Sequence, residues 1–273
     1  MRECNADAPI GVFDSGIGGL TVAREIMSQL PEEKIIYFGD TARLPYGNKS
    51  RETIIGYAKQ IRRFLESRNV KAIVVACNTA SAYALDTLCE DSEIPVVGMI
   101  HAGSKVATQV TVNGNIGVIG TSGTTSSGVY KKMMDSLKPG LNVIQKACPL
   151  FVPLVEEGLW NSKITDEVAR MYLDELKEAQ VDTMVLGCTH YPLLKETIAR
   201  VMGDNVRLVN PAYETARELK EILREEGLLR VNGGRSTGHE FYASDLADKM
   251  QEFAGSILTG ESINTSKIDI TEY

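Results

Sequence analysis

The sequence has no apolar run of the roughly 18 residues that a membrane-spanning helix needs, and its N-terminal MRECNADAPIGVF has no basic stretch leading into an apolar one. Neither membrane spanning nor export is signalled, so the chain is expected in the cytoplasm. Lys and Arg never gather into a stripe that could track a phosphate backbone, and the net charge is −7, which argues against nucleic acid as a partner. Cysteine is present as an odd set of five, Cys4, Cys77, Cys89, Cys148 and Cys188, without a CxxC pair. That excludes a disulfide framework and the usual structural zinc spacings, and leaves free thiols. Histidine is scarce, and His101 and His239 lack ligand-type neighbours in sequence, so no metal site is expected. The glycines of DSGIGGLTV stop short of a dinucleotide fingerprint, because Thr21 stands where the third glycine belongs, and GxxxxGK[ST] is absent.

What remains is ordinary globular composition, with 43% apolar and 24% charged residues in 273, a length that fits two domains better than one. Short apolar runs alternate with helical patterns. IGVFD precedes GLTVAREIMSQL, IIYFGD precedes RETIIGYAKQIRRFLESR, and AIVVA precedes ASAYALDTLCE. The pattern restarts at NIGVIGT with VYKKMMDSLK, continues through VDTMVLG with PLLKETIARVM, and ends with RLVNP, AYETARELKEILREEGL and HEFYAS. Such alternation predicts parallel βαβ units, an α/β fold with buried sheets and helices on both faces.

Two internal matches suggest duplication. AIVVACNTASAYALDTL lies over TMVLGCTHYPLLKETI, so that Cys77 meets Cys188 and the polar residues that follow stay in register. IGVFDSGIGGLTVAREI resembles IGVIGTSGTTSSGVYKKMM at nearly the same spacing, which sets Ser15 opposite Thr121. Two pseudo-symmetric lobes follow. One is expected to be discontinuous, residues 1–100 with 208–273, and the other to span 101–207, because the second half-pattern is inserted before the last strands return.

Open α/β sheets bind ligands at the carboxyl ends of their strands, which is where both cysteines fall. Each is expected to precede a helix, whose positive end favours a thiolate; an unperturbed thiol is only about 3% ionised at pH 7. A single cysteine after an apolar strand is more often packing than chemistry, but two in matched contexts point the other way. Asp14 and Ser15, Asp40 and Thr41, Asn78 and Thr79, Thr121 and Thr124, and Thr189 and His190 close equivalent strands. These mostly neutral donors suit a small anionic ligand, although each could simply cap a helix. Glu156 and Glu157 read as a solvated acidic pair.

GVFDSGIGGLTV, YFGDTARLPYG, ACNTASA, the TxxTxxSxxY pattern from Thr121 to Tyr130, CPLFVPLVE and LGCTHYPLL resemble, in order, the signatures of the bacterial glutamate racemase family. They span Gly11 to Leu194, and FYAS extends the likeness to about Ser244. Leu44 departs from the cysteine or valine some members carry before PYG, and is expected to make a backbone contact.

The resemblance implies a cleft between two lobes in which glutamate is inverted at its α-carbon without pyridoxal phosphate or metal. Cys77 and Cys188 would be the acid/base pair, Asp14 would assist Cys77, and His190 and Glu156 would assist Cys188. Asp14, Ser15, Tyr46, Gly47, Asn78, Thr79, Thr121, Thr124, Thr189 and His190 would hold substrate. The product D-glutamate would feed peptidoglycan synthesis, and family members are commonly homodimers. Related two-cysteine enzymes acting on aspartate, hydantoins or maleate share this architecture, and CNTA with GCTH favours glutamate. An amino-acid-binding regulator with merely packed cysteines is the alternative of a different class.

Overall fold

The computed structural model describes residues 5–231, 234–258 and 263–273, so Cys4 lies outside the described residues. β1 (Ile10–Asp14) leads to α1 (Leu20–Gln29), and β2 (Ile35–Gly39) leads through two short 3-10 turns to α2 (Arg51–Ser67). β3 (Ala72–Val75) runs into α3 (Asn78–Glu90), and β4 (Val96–Gly98) into α4 (Met99–Val110). The unit then restarts with β5 (Asn115–Gly120), α5 (Ser122–Ser126) and α6 (Val129–Leu137). β6 (Asn142–Ala147), α7 (Phe151–Glu156) and α8 (Lys163–Glu178) follow. After β7 (Thr183–Gly187), a 3-10 turn (Tyr191–Leu194) continues into α9 (Lys195–Met202) and β8 (Arg207–Val209). α10 (Pro211–Glu225), β9 (Glu240–Ala243), α11 (Ala247–Ile257) and β10 (Thr265–Lys267) complete the chain.

The strands form two sheets, ordered β10-β9-β2-β1-β3-β4 and β6-β5-β7-β8, and every pairing is parallel. Superposing β2-β1-β3-β4 on β6-β5-β7-β8 matches strands in order of appearance, which is the pseudo-symmetry read from the internal matches. β9 and β10 extend only the first sheet.

Apolar side chains alternate across the first sheet. Val12, Tyr37 and Val74 pack towards α1 and α10, while Phe13, Phe38 and Val75 pack towards α2 and α3. In the second sheet Met184 and Leu186 face α8 and α9, and Val118 and Val185 face α4 and α6. Both faces are therefore covered, as parallel strands require, and each fully buried side chain of this size contributes about 1.5–3 kcal/mol. Polar caps set where the helices start. Ser50 accepts from Thr53 N at 3.3 Å before α2, and Ser162 accepts from Thr165 N at 3.2 Å before α8. Asn210 caps α10 through Ala212 N, with Pro211 at the first helical position.

The chain crosses between sheets twice, through α4 and through α10, which pack on each other. The boundaries expected after residue 100 and before residue 208 fall inside α4 and β8. β8 pairs with β7, so the second sheet runs through Val209 and the chain returns along α10.

Candidate active site

The carboxyl ends of both sheets face one small cavity of about 40 Å³. Ser15, Tyr46, Gly47, Cys77, Asn78 and Thr79 line it from the first sheet, and Thr121, Cys188, Thr189 and His190 from the second. Of the residues expected at the site, Asp14, Thr124 and Glu156 stand just behind this wall. Leu44, Pro45, Val152 and Gly187 complete the lining. An outer hollow of about 420 Å³ shares Leu44, Pro45, Gly47, Thr121 and Val152 with the cavity and has Glu156 on its wall. A larger groove of about 590 Å³ lies elsewhere, with Gln29, Lys105, Tyr213 and Glu218 on its walls, and neither cavity cysteine reaches it.

The loop after β1 is folded around Asp14. Its Oδ2 accepts from the amides of Gly16 at 3.0 Å and Gly19 at 3.1 Å, and Thr189 Oγ1 donates to Oδ1 at 3.4 Å. Thr21 Oγ1 reaches the Thr189 carbonyl at 2.9 Å, tying the two sheets together. Gly18 packs directly against the second half. A Cβ there would lie 2.4 Å from His190 Nδ1 and 2.6 Å from Thr189 Oγ1, so only glycine fits. Burial pushes Asp14 above its ordinary value, although the charge of His190 and the Gly16 and Gly19 amides pull the other way.

Tyr46 is fixed from behind. Its hydroxyl donates to Asp40 Oδ2, which also takes Arg43 Nε at 2.7 Å, while Ser244 Oγ donates to Oδ1 at 2.9 Å. Arg43 lies over the ring of Tyr57 at 4.0 Å. Leu44 lines the cavity and its side chain lies against the loop after β1: a Cβ on Gly16 would meet Leu44 Cδ2 at 3.0 Å.

Cys77 caps α3, and Ala80 N points at its sulfur at 3.5 Å. The expected thiolate does not follow, because burial first and then the charge of Asp14 push this thiol up to about 12. Cys188 is not followed directly by an α-helix. Thr189 and His190 lead into the 3-10 turn instead, and His190 Nδ1 stands 3.8 Å from the Cys188 sulfur. His190 Nε2 meets Glu156 Oε1 at 3.1 Å. Burial works against a charged imidazole, but the hydrogen bonds to Cys188 and Glu156, and the charges of both, raise His190 to about 10. Burial would raise Glu156, yet the His190 hydrogen bond and charge hold it below the ordinary carboxylate value. The His190 cation thus faces the second sulfur, while the Asp14 carboxyl acts on the first.

Three hydroxyls at the cavity form a triangle, Thr79 to Thr121 at 2.9 Å, Thr121 to Thr124 at 3.0 Å and Thr79 to Thr124 at 3.2 Å. It joins α3 to the start of α5. The remaining histidines serve structure: His101 pairs with Glu218 between α4 and α10, and Ile35 N donates to His239 Nδ1 at 3.1 Å. Among the described residues no three or more of His, Cys, Asp and Glu are placed to hold a metal ion.

The sequence reading missed Val152, Gly187 and Tyr130, whose hydroxyl donates to Asn78 Oδ1 at 2.7 Å. Tyr130 did stand in the TxxTxxSxxY pattern, but nothing in that spacing says that it reaches α3. Among the described residues no helix is long and apolar enough to cross a membrane.

The Asp/Glu/Hydantoin racemase family model matches residues 10–219. A glutamate racemase of Geobacter metallireducens is 52% identical over 237 residues, covering 87% of either chain. A glutamate racemase isoform of Bacillus anthracis superposes with a TM-score of 0.93 at 41% identity, covering 97% of this chain and 98% of that one. The Francisella tularensis glutamate racemase, solved with D-glutamate, superposes with a TM-score of 0.90 at 39% identity, covering 98% of this chain and all of that one. The chain belongs to the Asp/Glu/hydantoin racemase family, on the branch that these glutamate racemases occupy.

Proposed function

We propose that the chain interconverts L- and D-glutamate by transferring protons at the α-carbon between two cysteines. The observation that carries this reading is the position of Cys77 and Cys188: they follow equivalent strands of the two sheets and line one cavity. A single base returns a proton to the face from which it took it, so inversion calls for a second group opposite. One thiolate takes the α-proton, forming its S–H bond as the C–H bond breaks. The opposite thiol then gives its proton to the carbon pair left behind, and the two sulfurs exchange protonation states. The family resemblance assigns L-glutamate to Cys188 and D-glutamate to Cys77.

The surroundings support a division of labour. His190, charged at neutral pH, stabilises negative charge on the Cys188 sulfur, and Glu156 keeps it charged. Asp14 acts beside Cys77, where it disfavours a standing thiolate and favours a thiol ready to donate. Ser15, Tyr46, Gly47, Asn78, Thr79, Thr121, Thr124 and Thr189 hold the substrate carboxylates and amino group, with His190 and Asp14 at its edges. No metal or organic cofactor takes part. In this reading the chain works in the cytoplasm and supplies D-glutamate for peptidoglycan. A homodimer, and two lobes meeting at α4 and α10, complete the reading.

Circular dichroism of purified, reduced protein with each glutamate enantiomer and no added cofactor tests this. Both signals should decay to zero as the racemate forms; a constant signal from either enantiomer contradicts the proposal.

A further inference from the structure

Asn78 opens α3 at the cavity wall and is 3% exposed. Its Oδ1 accepts the Tyr130 hydroxyl at 2.7 Å, whereas its Nδ2 is buried with no hydrogen-bond partner among the described residues. Buried amide nitrogens are normally paired, so an unpartnered one on a cavity-lining residue marks a donor held for a ligand. Tyr130 belongs to α6, on the other sheet. Its ring is fully buried beside Gly187 and Gly103: a Cβ on Gly187 would lie 3.4 Å from Cε2 and one on Gly103 3.6 Å from Cε1.

The amide could in principle be reversed. Nδ2 would then donate to the phenol oxygen, leaving the phenol hydrogen buried without an acceptor and turning the amide carbonyl towards the cavity. An acceptor-only carboxylate would meet that carbonyl with repulsion. Burial also pushes Tyr130 far above its ordinary value, so the hydroxyl stays protonated and remains a donor. We propose that Tyr130 is a positioning residue that locks the Asn78 amide with its NH2 towards the cavity, where it binds a carboxylate of the substrate. This rests on the glutamate reading above. Because the lock spans α3 and α6, the donor is correctly aimed only when the two sheets stand as they do here.

Steady-state racemisation by the wild type, Tyr130→Phe, Asn78→Ala and the double variant tests the assignment. Tyr130→Phe keeps the ring and should raise KM for both enantiomers about tenfold, with kcat within about threefold of wild type. In the Asn78→Ala background the same change should alter KM by less than about twofold, because the amide that it aims is gone. An unchanged KM, or the same factor in both backgrounds, would overturn the proposal and leave Tyr130 as packing. If Tyr130→Phe fails to fold, Asn78→Asp decides: it keeps an acceptor for Tyr130 and removes the donor. Its KM should rise at least as far as that of Asn78→Ala, and a KM near wild type overturns the proposal. Wild-type turnover in the same assay tests the underlying reading separately, and its absence would overturn both.

Discussion

His190 Nε2 and Glu156 Oε1 stand 3.1 Å apart, the imidazole buried and the carboxylate on the wall of the outer hollow. His190 comes from the loop after β7 and Glu156 from the end of α7, and the pair delivers a positive charge to a sulfur 3.8 Å from the other ring nitrogen.

Removing the charge of Glu156 should therefore change the pH response. His190 is raised to about 10 partly by Glu156, so in Glu156→Gln it falls towards its ordinary value of about 6.5. The imidazolium is then lost at lower pH, and the alkaline limb of kcat/KM should move down with it. At neutral pH a loss of about tenfold is expected, growing as pH rises. A pH–rate series on both proteins checks this; an unmoved alkaline limb contradicts the role given to Glu156.

Gly18 presses on the same histidine. A methyl group there would stand 2.4 Å from His190 Nδ1, too close for either group to remain in place. Gly18→Ala should cost about 1–3 kcal/mol of stability through overpacking and displace His190 from the Cys188 sulfur. Thermal unfolding and turnover should both fall, and full activity in the alanine variant would show that the contact yields freely.

Much of this could be read from the sequence. Paired apolar runs ending in Cys77 and Cys188 gave both the α/β class and the matched sites, because buried parallel strands need continuous apolar stretches and ligands gather at their ends. β4 was missed because Val96–Gly98 is too short to show a period, and β6 because Asn142–Ala147 has neither a continuous apolar run nor an apolar–polar alternation and is only partly buried. The tail from Ala247 onwards showed no pattern, yet it supplies α11 and the edge strand β10. At the site, helix position predicted an easily ionised Cys77, and burial beside Asp14 reversed it. Neither the burial nor the neighbour is visible in ACNTA. The Tyr130–Asn78 bond and the Asp40–Tyr46 bond were equally hidden, since each depends on how elements dock.

The thiols offer a chemical test. Alkylation of Cys77 or Cys188 should abolish turnover, and glutamate should slow that loss because it would cover both sulfurs. Cys89 is exposed, so it should react whether or not glutamate is present, and Cys89→Ser should leave turnover intact. Mass spectrometry of the labelled protein checks the assignment; turnover that survives labelling of Cys77 or Cys188 contradicts it.

The central claim is that two opposed sulfurs share one inversion, and hydrogen isotope exchange at low conversion tests it most directly. In deuterium oxide, starting from either enantiomer, the product should carry deuterium while unreacted substrate keeps its proton. The thiol that protonates the product face has exchanged with solvent beforehand, whereas the abstracted proton stays on the other sulfur. Extensive deuterium in recovered substrate from the first turnovers, in both directions, would indicate one base serving both faces and contradict the pairing of Cys77 with Cys188.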